Sequence, residues 1–289
     1  MRSQPDSRPR SAALSLRAMQ PPSPLATPLA WNLVAPAYAA ELLPMFETYA
    51  RVALRLAAPP PRGRLVDVAC GPGTLSLLAA HAGHPVDAVD FSPEMIAQLE
   101  ARCAGADVTP HVADGQALPF ADATFAAGFS MFGLMFFPDR ARGFAELRRV
   151  LAPGARAVVS SWPPIEGIAP LAAMFGAIRE ELGKLAGAPP PAQATFPLTT
   201  EEDCRREMGA AFRDVAVHQV SHVESYPSAT AFWQHITRTM APIVLLRRNL
   251  PDERWQAVSA AASAAIADAV GEGPGTVTMT AWLSVGVAA

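Results

Sequence analysis

The chain is poor in the residues that build several common sites. It has one lysine, Lys184, and three cysteines, Cys70, Cys103 and Cys204. The cysteines are odd in number and scattered, with no Cys-x-x-Cys pair, which excludes a disulfide framework and the usual zinc motifs. A reducing cytoplasm is the expected setting. No apolar run reaches the ~18 residues of a membrane span; the richest stretch, 257–270, is alanine helix broken by Ser259, Ser263 and Asp268. An excess of positive charge is missing too. With 23 Lys+Arg against 26 Asp+Glu and a net charge of −3, there is no general basic field for a nucleic acid. Aromatic residues are few, at 7%, yet 51% of positions are hydrophobic and mean hydropathy is +0.18. Alanine-rich tracts explain part of that; with the arginine preference they reflect coding bias.

The length suits one α/β domain with insertions. Residues 1–28 hold Arg2, Arg8, Arg10 and Arg17 against Asp6 alone. They have no helical apolar face and no signal-peptide core, so a disordered tail, or a true start at Met19, is expected. Residues 31–56 read as one helix, with Ala39, Leu42, Leu43, Phe46, Ala50 and Ala53 at helical spacing and three prolines after it. Short apolar strands then alternate with helices. Strands are expected at 64–70, 85–91, 108–113, 124–132 and 155–162, and helices at 74–82, 93–103 and 139–151. That alternation predicts a parallel sheet covered on both faces. Beyond Trp162 it gives way to an amphipathic helix over 168–185, a loop at 188–197, a strand at 212–226, a helix at 228–240, the alanine helix and a closing strand at 275–287. The extra helices predict a lid over the carboxyl edge of the sheet, where α/β folds bind ligands.

The run Asp67-Val68-Ala69-Cys70-Gly71-Pro72-Gly73-Thr74 ends the first of these strands. Its glycine pair lets the chain turn sharply into a helix with backbone against a ligand. Asp90 closes the next strand, where a carboxylate can accept both hydrogen bonds of a ribose diol. Nicotinamide and flavin enzymes use the same two devices, but their third glycine is absent here, and so is the Gly-Lys-Ser/Thr of a P-loop.

With VDFSPEMI (89–96), ADGQALPFAD (113–122) and ELRRVLAPGARAVVSSW (146–162) following in order, residues 31–162 resemble the class I S-adenosylmethionine-dependent methyltransferases, in particular the ubiquinone/menaquinone-biosynthesis-like branch. The resemblance implies a Rossmann-like, seven-stranded, mostly parallel sheet with an antiparallel last strand. It divides the chain into a tail (1–28), a cofactor-binding core (29–162), and lid insertions with the last two strands (163–289). It implies S-adenosyl-L-methionine as cofactor, with S-adenosyl-L-homocysteine as product. Gly71 and Gly73 would face its methionine portion, Asp90 its ribose, and Phe91 and Met95 its adenine. Asp114 would accept from the adenine amino group with Gly115 beside it, and Asp67, Ala69 and Ser130 complete the set. Ala69 stands where many relatives have glycine. No metal is expected.

The strand end 129–133 lacks the Asn/Asp-Pro-Pro-aromatic signature of enzymes that methylate exocyclic or amide nitrogen. Phe and Met crowd 129–137 and the lid, so an apolar small molecule is the expected acceptor for O-, C- or N-methylation. Trp31, Tyr38, Phe132, Phe175 and Trp233 are its candidate contacts. On the strand 212–226 the two-residue period puts His218, His222 and Glu224 on one face. His218 and His222 lie roughly 13 Å apart there, so His222 with Glu224 is the candidate base, against an ordinary surface role. A repurposed protein that keeps the cofactor without methyl transfer, and a nicotinamide oxidoreductase, stand as alternatives. No nucleic-acid partner is expected, and the chain is expected as a monomer or homodimer.

Overall fold

The computed structural model describes residues 23–187, 189 and 196–289. The expected tail over 1–22 and most of the loop at 188–197 lie outside them.

Seven strands form one sheet in the order β3-β2-β1-β4-β5-β7-β6. They are β1 (Leu65–Val68), β2 (Val86–Asp90), β3 (Val108–Val112), β4 (Phe125–Met131), β5 (Leu151–Ser161), β6 (Arg213–Tyr226) and β7 (Gly275–Val287). β1 to β5 pair in parallel, and β7 runs against both of its neighbours, β5 and β6. The parallel strands follow the expected alternation, and the reversed last strand is the one the family resemblance implies.

The period of two along each strand sends alternate residues to separate cores. On one face Tyr49, Leu65, Leu75, Phe129 and Val158 cluster under α2 (Leu43–Ala57) and α3 (Thr74–His81). On the other, Val66, Val68, Phe144, Leu147 and Met208 cluster under α5 (Arg140–Arg149) and α7 (Glu201–Gly209). Buried apolar side chains at this scale contribute about 1.5–3 kcal/mol each. α4 (Pro93–Glu100) starts at Ser92, whose hydroxyl accepts from Met95 N at 3.1 Å, and Pro93 supplies the preset first turn.

The expected single helix over 31–56 is two: α1 (Pro28–Glu41) and α2, parted at Leu42. Pro44, in the first turn of α2, has no N–H for the carbonyl four residues back, and the helical ladder is interrupted there. The expected tail boundary at 28 is also corrected. Residues 24–26 already form a 3-10 turn that buries Leu25, and α1 starts at Pro28.

The helices expected to form a lid are α6 (Ala169–Ala186), α8 (Ala229–Thr239), α9 (Ala241–Asn249) and α10 (Asp252–Val270). They share a third core with Tyr226, at the carboxyl end of β6, and Val277 of β7. α1 joins lid to sheet. Its Ala30, Val34 and Ala35 meet Met95 and Ala241, and its Glu41 takes a two-pronged ion pair from Arg238 (both 2.9 Å) and a bond with His235 Nδ1 (2.9 Å). Among the described residues no helix is long and apolar enough to cross a membrane.

Candidate active site

At the end of β1 the backbone passes through left-handed conformations at Ala69 (φ 56°), Gly71 (φ 54°) and Gly73 (φ 82°). Gly73 opens α3 there because a Cβ would stand 2.3 Å from Leu99 Cδ1, so only glycine lets α3 close on α4. The turn aims Gly71 N at the Asp90 side chain, which accepts it through Oδ2 at 2.8 Å while Oδ1 accepts from Ser92 N at 2.9 Å. Burial pushes the Asp90 carboxyl up to about 6 in spite of those bonds. Behind it, Asp67 is almost fully buried. Ser76 Oγ donates to its Oδ2 at 2.7 Å, and its Oδ1 has no partner. Burial chiefly, opposed by Ser76, pushes that carboxyl to about 7.

A cleft of about 790 Å³, its open mouth included, lies over this turn. Of the residues expected at the cofactor, Ala69, Gly71, Asp90, Phe91, Met95, Asp114 and Gly115 line it. The far wall is aromatic and includes Trp31, Tyr38 and Phe132, three of the five expected acceptor contacts. Trp31 is fixed by Nε1 donating to Leu25 O at 2.8 Å and by Phe136, 5.1 Å away. Tyr38 stacks on Phe46 at 5.2 Å. Phe132 stacks on Trp162 at 4.1 Å and holds φ 61°, an unusual conformation for an aromatic residue. Its N–H donates to Ser160 Oγ at 2.9 Å. Backbone strain of this kind persists only where the surroundings enforce it. Burial and the neighbouring Asp90 carboxylate push the Tyr38 hydroxyl well up, so it acts as a donor and not as a base.

The remaining candidates lie elsewhere. Asp67 sits behind the turn, Gly73 at its α3 end, and Ser130 Oγ accepts from Leu134 N at 3.2 Å; none of the three lines the cleft. Phe175 and Trp233 belong to the lid core, where Trp233 stacks on Trp255 at 5.9 Å and donates from Nε1 to Ser259 Oγ at 2.8 Å. His222 bonds Thr48 Oγ1 through Nδ1 (2.9 Å) and Glu224 Oε2 through Nε2 (3.1 Å), on the outer side of α2. His222 and Glu224 are thus together, but neither lines the cleft.

Sequence reasoning missed Leu25, Gln116, Phe136 and Phe137, which do line it. Leu25 fell within the expected tail and gave no signal. Gln116 directly follows the Asp-Gly turn of the third motif and was within reach.

The lining suits a sulfonium nucleoside. Its charged groups are the Asp90 and Asp114 carboxylates, and among the described residues no Arg, Lys or His joins them. A cation is therefore welcome and a pyrophosphate is not. Above Gly71 a Cβ would meet only Met95 Sδ at 3.9 Å, which leaves the backbone open to a ligand.

Residues 65–154 match the family described as "Methyltransferase domain". A Mycobacterium tuberculosis protein described as uncharacterized is 42% identical over 104 residues, 35% of this chain and 38% of the relative's length. The demethylmenaquinone methyltransferase of Thermus thermophilus is 42% identical over 105 residues, 35% of this chain and 48% of its own. The chain thus spans under half the length of these curated relatives. Among solved structures, the complex of the Haloferax volcanii Trm112 methyltransferase activator with a putative methyltransferase is 20% identical. It covers 89% of this chain and 97% of that one with a TM-score of 0.54, a likeness of fold. Sheet order, glycine turn and matched family agree: residues 65–154 match a methyltransferase domain and lie on a Rossmann-like sheet.

Proposed function

We propose that the protein transfers the methyl group of S-adenosylmethionine to a neutral, apolar small molecule. One observation carries this reading: a cleft joins a carboxylate-bearing side, which suits a nucleoside, to an aromatic side where no cationic side chain stands among the described residues. Asp90, oriented by Gly71 N and Ser92 N, receives the ribose diol, and Phe91 and Met95 flank the adenine. The bound cofactor supplies an electrophilic methyl on a cationic sulfur. Trp31, Tyr38 and Phe132 then hold a flat acceptor in line with it and exclude water, and such positioning supplies much of the rate in a displacement at carbon. The lack of cations disfavours acceptors bearing phosphate or carboxylate. The relatives named demethylmenaquinone methyltransferases support a quinone-like acceptor.

Calorimetry with S-adenosylhomocysteine tests the cofactor. The wild type should bind, and Asp90→Ala should weaken binding about tenfold or more, because a charged hydrogen-bond acceptor is lost. Absence of binding would refute the reading. A panel of neutral and phosphorylated aromatic acceptors then tests transfer, expected for neutral ones alone. A second reading, cofactor binding without transfer, draws on the placement of both lining carboxylates, Asp90 and Asp114, on the nucleoside side, with no His or Lys among the described lining residues; binding with no product from any acceptor would select it.

A further inference from the structure

Gln116 stands in the wall of the cleft beside Asp114, and its contacts have a fixed polarity. Its Oε1 accepts from Asp139 N at 2.9 Å. Asp139 is itself held as the cap of α5, its Oδ1 accepting from Arg142 N at 3.0 Å. A backbone N–H is only a donor, so the amide cannot be reversed, and the ambiguity usual for a glutamine is removed. Nε2 therefore faces Asp114, with Oδ1 at 3.1 Å and Oδ2 at 3.2 Å. Oδ1 also accepts from Gln116 N at 2.8 Å. A carboxylate has about four acceptor positions. Three contacts fall on this one, two of them on Oδ1, which leaves Oδ2 the freer oxygen.

We propose that Gln116 is a positioning residue that sets the base selectivity of the nucleoside subsite. It pins the Asp114 carboxylate so that Oδ2 offers a lone pair to a donor on the base, and thereby selects a 6-amino purine over a 6-oxo purine. Asp139 N donates to Gln116 Oε1, Gln116 Nε2 donates to Asp114, and the base amino group would donate to the same carboxylate from the other side. A 6-oxo group would set oxygen against oxygen and leave both unsatisfied, which is how sites built for an N–H discriminate strongly. The inference rests on the cofactor reading above.

The test compares S-adenosylhomocysteine with its deaminated analogue S-inosylhomocysteine by calorimetry, in the wild type, Gln116→Glu and Gln116→Met. Gln116→Glu keeps length and the acceptor for Asp139 N but sets an acceptor against Asp114. Gln116→Met keeps length alone. The wild type should prefer the adenine ligand at least about tenfold. Both variants should lose most of that preference, chiefly through weaker adenine binding, with Gln116→Glu the more affected and its melting temperature close to the wild type's. An unchanged preference in both variants overturns the proposal. So does an equal loss of both ligands accompanied by a lower melting temperature, the mark of a merely structural turn. A wild type that binds neither ligand defeats the cofactor reading itself, whereas binding with no base preference defeats this inference alone.

Discussion

Ala69 and Gly133 compete for one space, and that competition gives a quantitative prediction. A Cβ built on Gly133 would lie 2.2 Å from Ala69 Cβ, whereas its next contacts, Ala69 O and Cα, stand at 3.4 and 3.5 Å. Ordinary carbon contacts are about 3.5–4.0 Å. Both carbons are fixed to backbone, so Gly133→Ala forces a main-chain shift, which overpacking data put at about 1–3 kcal/mol. Removing the Ala69 methyl deletes the clash. It also relieves a left-handed alanine (φ 56°), worth roughly 1–2 kcal/mol and partly offset by about 0.4–1 kcal/mol of extra unfolded-state entropy. Ala69→Gly alone should therefore be neutral or stabilising by up to about 1.6 kcal/mol. In the Ala69→Gly background, Gly133→Ala should lose most of its cost, to under about 0.5 kcal/mol. The coupling is thus on the order of 1–2 kcal/mol, well above the ~0.3–0.5 kcal/mol within which independent sites add. Urea unfolding of the wild type, the two single variants and the double variant reads it, provided the m-value is constant. If Gly133→Ala costs the same in both backgrounds, the steric account fails.

Two further outcomes follow from the buried groups. Because the Asp67 carboxyl sits near 7 against an ordinary 3.8, the folded chain holds its proton more tightly than the unfolded one. Its contribution to stability is full below pH ~4 and is lost as pH rises through ~7. Asp67→Asn should remove that slope, gaining on the wild type by on the order of 3–4 kcal/mol between pH ~4 and ~8; a difference that stays flat in urea titrations across this window rejects the assignment. Trp233→Ala should cost about 3–5 kcal/mol by emptying the lid core, yet leave the S-adenosylhomocysteine Kd unchanged. A large loss of affinity at intact fold would put Trp233 back at the site.

Much of the turn-and-carboxylate side of the cleft was legible because its devices are local. The glycines at 71 and 73 and the carboxylate at 90 each act within a few residues of a strand end, and strand ends follow from apolar periodicity. Two helices escaped that reading. α7 is short and polar, although Thr200, which accepts from Asp203 N at 3.1 Å, marks its start. α9 begins at Ala241, with Pro242 in its first turn, immediately after α8 and gives no periodic face of its own. The acceptor side was read less well, since Phe, Met and Trp serve core and pocket alike. Phe132 and Trp233 carry the same kind of signal in the sequence, and one lines the cleft while the other fills the lid.

The sequence by itself determined the strand–helix units of the sheet, the glycine turn after β1 and the carboxylate at 90, because short-range patterns of glycine, acid and apolar residues specify them within single strand–helix units; the reversed last strand and Asp114 came from the family resemblance. Only the tertiary structure decided which aromatic side chains face the cleft, that residues 24–26 fold back to help line it, and that His222 and Glu224 stand apart from it. Those outcomes depend on how α1 and the lid helices dock, and docking is set by contacts between residues distant in the chain, such as Glu41 with Arg238, which leave no periodic trace.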